Sequence, residues 1–229
     1  MPRPVIAIPG RFTESASALR YRGVVVARKL AEAVWAAGGD PHVLLPAPGP
    51  DGMDWGSRLR GVDGVLMPGG GDISPARYGG DPSDPTLYDM DELQDETDFT
   101  LARYALDQGI PLLAVCRGLH VVNALLGGTL IIDMDVNHRH HVHEVAIDDP
   151  SDHLGLGNAP VTCSCYHHQA IDVVAPGITV LGRAEDGCVE AVAIEAQGWA
   201  AGVQWHPEDT YDTDPAQLLP FQALVRHAG

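Results

Sequence analysis

Two rhythms of apolar positions run along this chain. Short unbroken runs of Val, Ile and Leu alternate with longer segments in which apolar residues recur every three to four positions. That alternation predicts buried, mostly parallel strands connected by helices. Strands are expected at 4–8, 41–45, 64–67 and 110–115, and helices at 19–37, 91–108 and 119–126. Each helix stops at glycine (Gly38-Gly39, Gly109, Gly127-Gly128), where left-handed backbone closes the last turn. Residues 73–91, rich in Pro, Gly and Asp, predict a surface loop. Beyond residue 140 the pattern changes to short runs at 142–147, 170–174, 179–183, 189–194 and 200–205, separated by turn residues. The expected fold is α/β, a mostly parallel central sheet flanked by helices with additional short strands in the C-terminal half. With no repeat or low-complexity segment, residues 1–229 read as a single domain.

Composition narrows the function. The chain's 229 residues, 45% of them hydrophobic, suffice for one substantial core. Lys and Arg total 14 against 31 Asp and Glu, and the resulting charge of -17 repels phosphate backbones and anionic membranes. Neither nucleic acid nor membrane is expected as a partner. The N-terminal apolar run ends at Pro9-Gly10, and no run reaches the roughly 18 apolar residues of a membrane span. A cytoplasmic location is therefore expected, with Cys116, Cys163, Cys165 and Cys188 reduced.

One of those cysteines stands in a reactive setting. The apolar run ending at Val115 delivers Cys116 to a tight turn with a helix directly behind it, a nucleophile-elbow pattern, with small residues at Ala114 and Gly118. A helix N-terminus favours negative charge on the sulfur. A cysteine nucleophile needs a base and the base an orienting group. His206 and Glu208, two apart in an extended segment with Pro207 between them, share a face and can supply both. Acyl transfer also needs oxyanion donors. The glycines Gly69-Gly70-Gly71 follow a buried strand and emerge at the same sheet edge, so one donor is expected there, at Gly70 or Gly71, and the other at the N–H of Arg117. The Lys-Ser/Thr ending of a phosphate-binding loop is absent.

Together these segments resemble the class I glutamine amidotransferase superfamily and, within it, the γ-glutamyl-γ-aminobutyrate hydrolase-like branch. The resemblance is carried by Pro68-Gly69-Gly70-Gly71-Asp72-Ile73-Ser74-Pro75, by Cys116-Arg117-Gly118 with Asn123 and Gly127-Gly128-Thr129-Leu130, by His167-His168-Gln169-Ala170, and by the segment from Gly202 to Glu208. It implies a Cys116-His206-Glu208 triad that cleaves a γ-glutamyl amide through a thioester, with water as the acceptor. It also implies substrate contacts around His120, His167, His168 and Gln169. The expected partner is a small γ-glutamyl compound, with no cofactor and a homodimer left open. The alternatives are an ammonia-producing glutaminase subunit and a non-catalytic binding homologue. The chain departs from the family pattern at His120, where Gln is usual, at Ser164-Cys165 in place of Asn-Ser, and at Ile132 in place of Gln.

The histidine-rich run from His138 to Glu144 raises a metal reading, because His141 and His143 alternate onto one strand face. Arg139 interrupts the run, no cysteine is near in sequence, and triad chemistry needs no metal, so no metal site is expected. Cys163 and Cys165 are expected to pack.

Overall fold

The structure, a computed structural model, describes residues 2–17, 19–136 and 138–229. From the N-terminus, β1 (Val5–Pro9) is followed by a ribbon of β2 (Arg11–Thr13) and β3 (Gly23–Val25), then α1 (Arg28–Ala36) and β4 (Asp40–Leu44). A short helix α2 (Trp55–Arg58) precedes β5 (Gly64–Met67), and the long α3 (Glu92–Gln108) leads through β6 (Leu112–Val115) into α4 (Arg117–Leu125). The second half contains β7 (Leu130–Ile131), β8 (His141–Ile147), β9 (Val161–Cys165), β10 (Ala170–Ile171), β11 (Ile178–Ala184), β12 (Val189–Ile194) and β13 (Ala200–Val203), and α5 (Leu219–Ala228) closes the chain.

Nine strands form one sheet in the order β4-β1-β5-β6-β13-β12-β11-β8-β9. The pairs from β4 to β13 are parallel, and those from β13 onward are antiparallel. The central parallel strands β5, β6 and β13 carry only apolar residues and glycine, buried at every position because both faces are covered, whereas the edge strand β4 carries Asp40 and His42. Ile6, Ile8, Leu113 and Val115 pack under α1 and α5, while Ala7, Leu112 and Ala114 pack under α3 and α4. α3 is capped at its start by Asp91, which accepts from Gln94 N, and is ended by Gly109 in the left-handed region.

The expected fold class and most strands match this architecture. The helix expected over 19–37 does not: α1 begins only at Arg28, and residues 23–25 pair with β2. The run Gly23-Val24-Val25-Val26 explains the difference, since glycine and β-branched side chains disfavour helix and suit a ribbon. The strand expected over 170–174 shrinks to the two residues of β10, which pair only with the equally short β7. Strands β2, β7 and β9 and helices α2 and α5 are additions.

The topology places the chemistry. β5, β6 and β13 are parallel neighbours, with Met67 beside Ala114 and Val115 beside Val203. The loop starting at Pro68, Cys116 and the segment starting at Gln204 therefore leave the sheet at one edge, the carboxyl edge where α/β sheets bind ligands.

Candidate active site

Cys116 caps α4 with φ 50° and ψ −109°, a left-handed backbone that is rare and strained for a side chain with a Cβ. The turn is held from both sides: Cys116 N donates to Val203 O at 2.8 Å, and Gly118 packs so close to β5 that an added Cβ would lie 2.5 Å from Met67 O. Only glycine allows that approach, so the elbow is set by packing between neighbouring strands.

His206 stands beside the cysteine. Its Nδ1 lies 2.8 Å from Glu208 Oε1, and Cys116 is the second charged neighbour acting on the ring. The Gly69 backbone passes underneath, where an added Cβ would approach His206 Cε1 to 2.8 Å. Burial by itself would lower the His206 pKa, but the charges of Glu208 and Cys116 outweigh it and hold the imidazole well above its usual value. The wholly buried Trp205 anchors the segment by donating from Nε1 to Gln217 Oε1 at 2.9 Å. A thiol, an imidazole and a carboxylate aligned this way can pass one proton between sulfur and a leaving group.

The other sequence-derived residues divide into two groups. Gly70, Gly71, Arg117, His120, His167, His168 and Gln169 border the same small polar pocket as Cys116. Their side chains, however, do not all face it. The Arg117 guanidinium turns into α3, pairing with Asp95 at 2.6 Å and with Asp98, so the side chain is committed there and the residue's free group is its backbone N–H at the first position of α4. His168 is spanned by two carboxylates, with Nδ1 2.9 Å from Asp133 Oδ1 and Nε2 3.0 Å from Asp72 Oδ1. The hydrogen bond with Asp72 leads in raising its pKa. Asp72 also accepts from Tyr88 N at 3.0 Å, so His168 ties the glycine loop to the 73–91 segment. The His167 ring faces Glu190. Gln169 Nε2 is buried near Tyr78 without a well-formed hydrogen bond.

Two further residues at this site lack any reading in the sequence. Gln204 Nε2 donates to Cys116 Sγ at 3.7 Å, and its Oε1 accepts from His120 Nε2 at 2.7 Å. Burial, reinforced by His167, lowers the His120 pKa to about 3, so the ring is neutral. The signal for Gln204 is its place directly after β13, two residues before His206; the extended segment expected to carry His206 and Glu208 ends there, and Pro207–Asp209 turns as a 3-10 helix. Arg11, on β2, covers Gly70: a Cβ there would lie 2.2 Å from Arg11 Nη1, and that nitrogen is buried without a partner. No sequence pattern marks it. Arg11 also lines a second cleft of about 720 Å³, which reaches from Gly69 and Gly70 past His206 to Val25, Lys29 and Tyr166.

Among the described residues, His138, Cys165, His167 and Glu190 form the group whose donor atoms could hold a metal ion. The cysteine arrives through β9, and His141 is not a member.

The family model of peptidase C26 matches residues 4–208. A protein of Mycobacterium tuberculosis named "Putative glutamine amidotransferase" is 34% identical over 204 residues, which are 85% of this chain and 64% of that longer protein. The gamma-glutamyl-gamma-aminobutyrate hydrolase of Escherichia coli K12 is 31% identical over 220 residues, covering 86% of this chain and 84% of the relative. A crystal structure from Thermoplasma acidophilum, of a "putative gmp synthase subunit a protein", superimposes with a TM-score of 0.68 over 99% of this chain and 94% of its own, at 13% identity, which is a likeness of fold.

Proposed function

The chain belongs to the peptidase C26 family, and on that premise we propose that it hydrolyses the amide bond of a small γ-glutamyl compound through a thioester on Cys116. The observation that carries the reading is the alignment of Glu208, His206 and Cys116 at the mouth of a polar pocket that adjoins a larger cleft. The polar pocket suits the glutamyl group, and the 720 Å³ cleft suits a leaving amine larger than ammonia.

In this mechanism the Cys116 sulfur attacks the γ-carbonyl carbon while the carbonyl oxygen, becoming an oxyanion, accepts from the N–H groups of Arg117 and Gly70 or Gly71. Protonated His206 gives its Nε2 proton to the departing amine as the C–N bond breaks, leaving the thioester. Neutral His206 then takes a proton from water, the hydroxide oxygen adds to the thioester carbon, and the sulfur departs with free glutamate as product. Glu208 keeps Nδ1 protonated throughout, so the nitrogen facing the reaction is always Nε2. Gln204 Nε2 steadies the sulfur whenever it carries charge.

The test is kcat/KM for glutamine beside γ-glutamyl-γ-aminobutyrate and γ-glutamyl polyamines, with Cys116→Ala as control. Better turnover of the larger amides, and loss of about 10^4-fold or more in the control, is expected. A preference for glutamine of about tenfold or more, equivalent to about 1.4 kcal/mol, would instead favour the ammonia-producing reading, which the mycobacterial relative's name also suggests.

A further inference from the structure

We propose that His138, Cys165, His167 and Glu190 form a buried structural site for one borderline-soft divalent cation of the zinc type. The four donor atoms lie within 4.8 Å of one another, and all four residues are buried. The argument begins with the protons. His167 Nδ1 lies 2.9 Å from the Gln169 carbonyl oxygen and must donate to it, because a carbonyl can only accept. In the neutral ring its Nε2 is then a bare lone pair, and that atom is buried with no hydrogen-bond partner, 3.5 Å from Glu190 Oε1. His138 repeats the arrangement: Nε2 lies 2.9 Å from the Asp186 carboxylate, which leaves Nδ1 facing the same Glu190 oxygen at 3.3 Å.

The unpartnered His167 Nε2, His138 Nδ1 and the Glu190 carboxylate therefore converge at one point in the interior. The fourth side is closed by Cys165, whose sulfur is 4.0 Å from Glu190 Oε2. A cation at the centre satisfies all of these atoms at once. Without a cation, a second proton on His138 can be given to Glu190, and His143 Nε2 lies 3.5 Å from the same oxygen and 3.6 Å from Cys165 Sγ, yet His167 Nε2 stays buried without a partner.

The donor chemistry names the ion. Two imidazole nitrogens, one thiolate and one carboxylate match tetrahedral zinc, whose bonds of about 2.0–2.3 Å place ligand atoms closer together than here by a small contraction. The outer partners fit as well, since histidine ligands usually give their second N–H to a carbonyl or carboxylate, as His167 does to Gln169 and His138 to Asp186. With Glu190 wholly buried, no coordination position is left for solvent or substrate, so the role is structural. The cation would join the segment before β8, the end of β9, the His167-His168-Gln169 segment and β12, and so brace one wall of the polar pocket from behind.

The experiment uses the full chain in the Cys116→Ala background, so that the catalytic thiol cannot contribute, purified without metal-affinity resin and stripped by dialysis against a chelator. Titration with Co²⁺ should give a thiolate-to-cobalt absorption band that saturates at one ion per chain and is erased by stoichiometric Zn²⁺. Cys165→Ser should abolish the band while Cys163→Ser and Cys188→Ser keep it. If Cys165→Ser does not fold, mass-mapped alkylation of the parent protein in mild denaturant replaces it, and Zn²⁺ should protect Cys165 selectively. The proposal is overturned if the parent protein shows no such band, if the band survives Cys165→Ser, or if Zn²⁺ leaves Cys165 alkylation unchanged.

Discussion

His120 Nε2 meets Gln204 Oε1 at 2.7 Å, and this turns the Gln204 amide nitrogen toward the sulfur of Cys116, 3.7 Å away. The His120 ring thus acts on the sulfur through a second side chain. Its lowered pKa, about 3, keeps it an uncharged donor across the working pH range. We expect Gln204→Leu to lower kcat by about 10–100-fold, roughly 1.4–2.7 kcal/mol, with a smaller change in KM, because the lost donor faces the sulfur. It should also destabilise the fold by about 1–3 kcal/mol, since buried His120 loses its acceptor. Steady-state kinetics together with denaturant unfolding check both numbers; unchanged kcat in a folded variant would remove Gln204 from the chemistry.

Glu208→Gln should cost less activity than His206→Ala, because an orienting group is worth less than the base it orients. It should also move the pH profile. The charge of Glu208 is foremost among the influences raising the His206 pKa against burial, so the alkaline limb of kcat/KM lies well above pH 6.5 in the wild type and shifts to lower pH in Glu208→Gln. A variant with an unmoved alkaline limb would show that this limb does not report His206.

Arg11 presents a buried Nη1 without a partner between the glycine loop and the large cleft. A carboxylate on the substrate would complete it. Arg11→Met is expected to raise KM for γ-glutamyl-γ-aminobutyrate by about tenfold or more, about 1.4 kcal/mol, with kcat changing less. A loss confined to kcat would mean that Arg11 supports the loop rather than the substrate.

His168 offers a stability test with a definite sign. Asp72 and Asp133 raise its pKa in the folded protein, so the folded state holds the proton more tightly than the unfolded chain. That contribution is fully present below pH 6.5, the ordinary value, and is lost as pH rises through the higher folded value. The Tm difference between wild type and His168→Gln should therefore be larger at pH 6 than at pH 9. Equal differences at the two pH values would mean that His168 is neutral in the folded state.

The sequence by itself determined the elements whose signals are local. Unbroken apolar runs such as 64–67 mark strands buried on both faces. Asp91 and Gly109 bound α3 through hydrogen bonds of their own backbone neighbourhood, and the two-residue spacing of His206 and Glu208 does bring carboxylate to imidazole, though through a 3-10 turn at Pro207–Asp209 instead of the extended segment expected. The strand-turn-helix at Cys116 is likewise local, and Gly118 reveals why it needs glycine only through its approach to Met67. What the tertiary structure decided were encounters between residues far apart in the chain. Arg117 reads as a pocket residue by position, yet Asp95 and Asp98 draw its side chain into α3, because a buried guanidinium must find carboxylates. Gln204 meets His120 across 84 positions of sequence, and Arg11 reaches Gly70 because a valine run that passes for helix folds back as a ribbon. His138 does not have Cys165 or Glu190 nearby in sequence. β9 and β12 bring that cysteine and carboxylate to it, because strand pairing sets distances that spacing along the chain cannot encode.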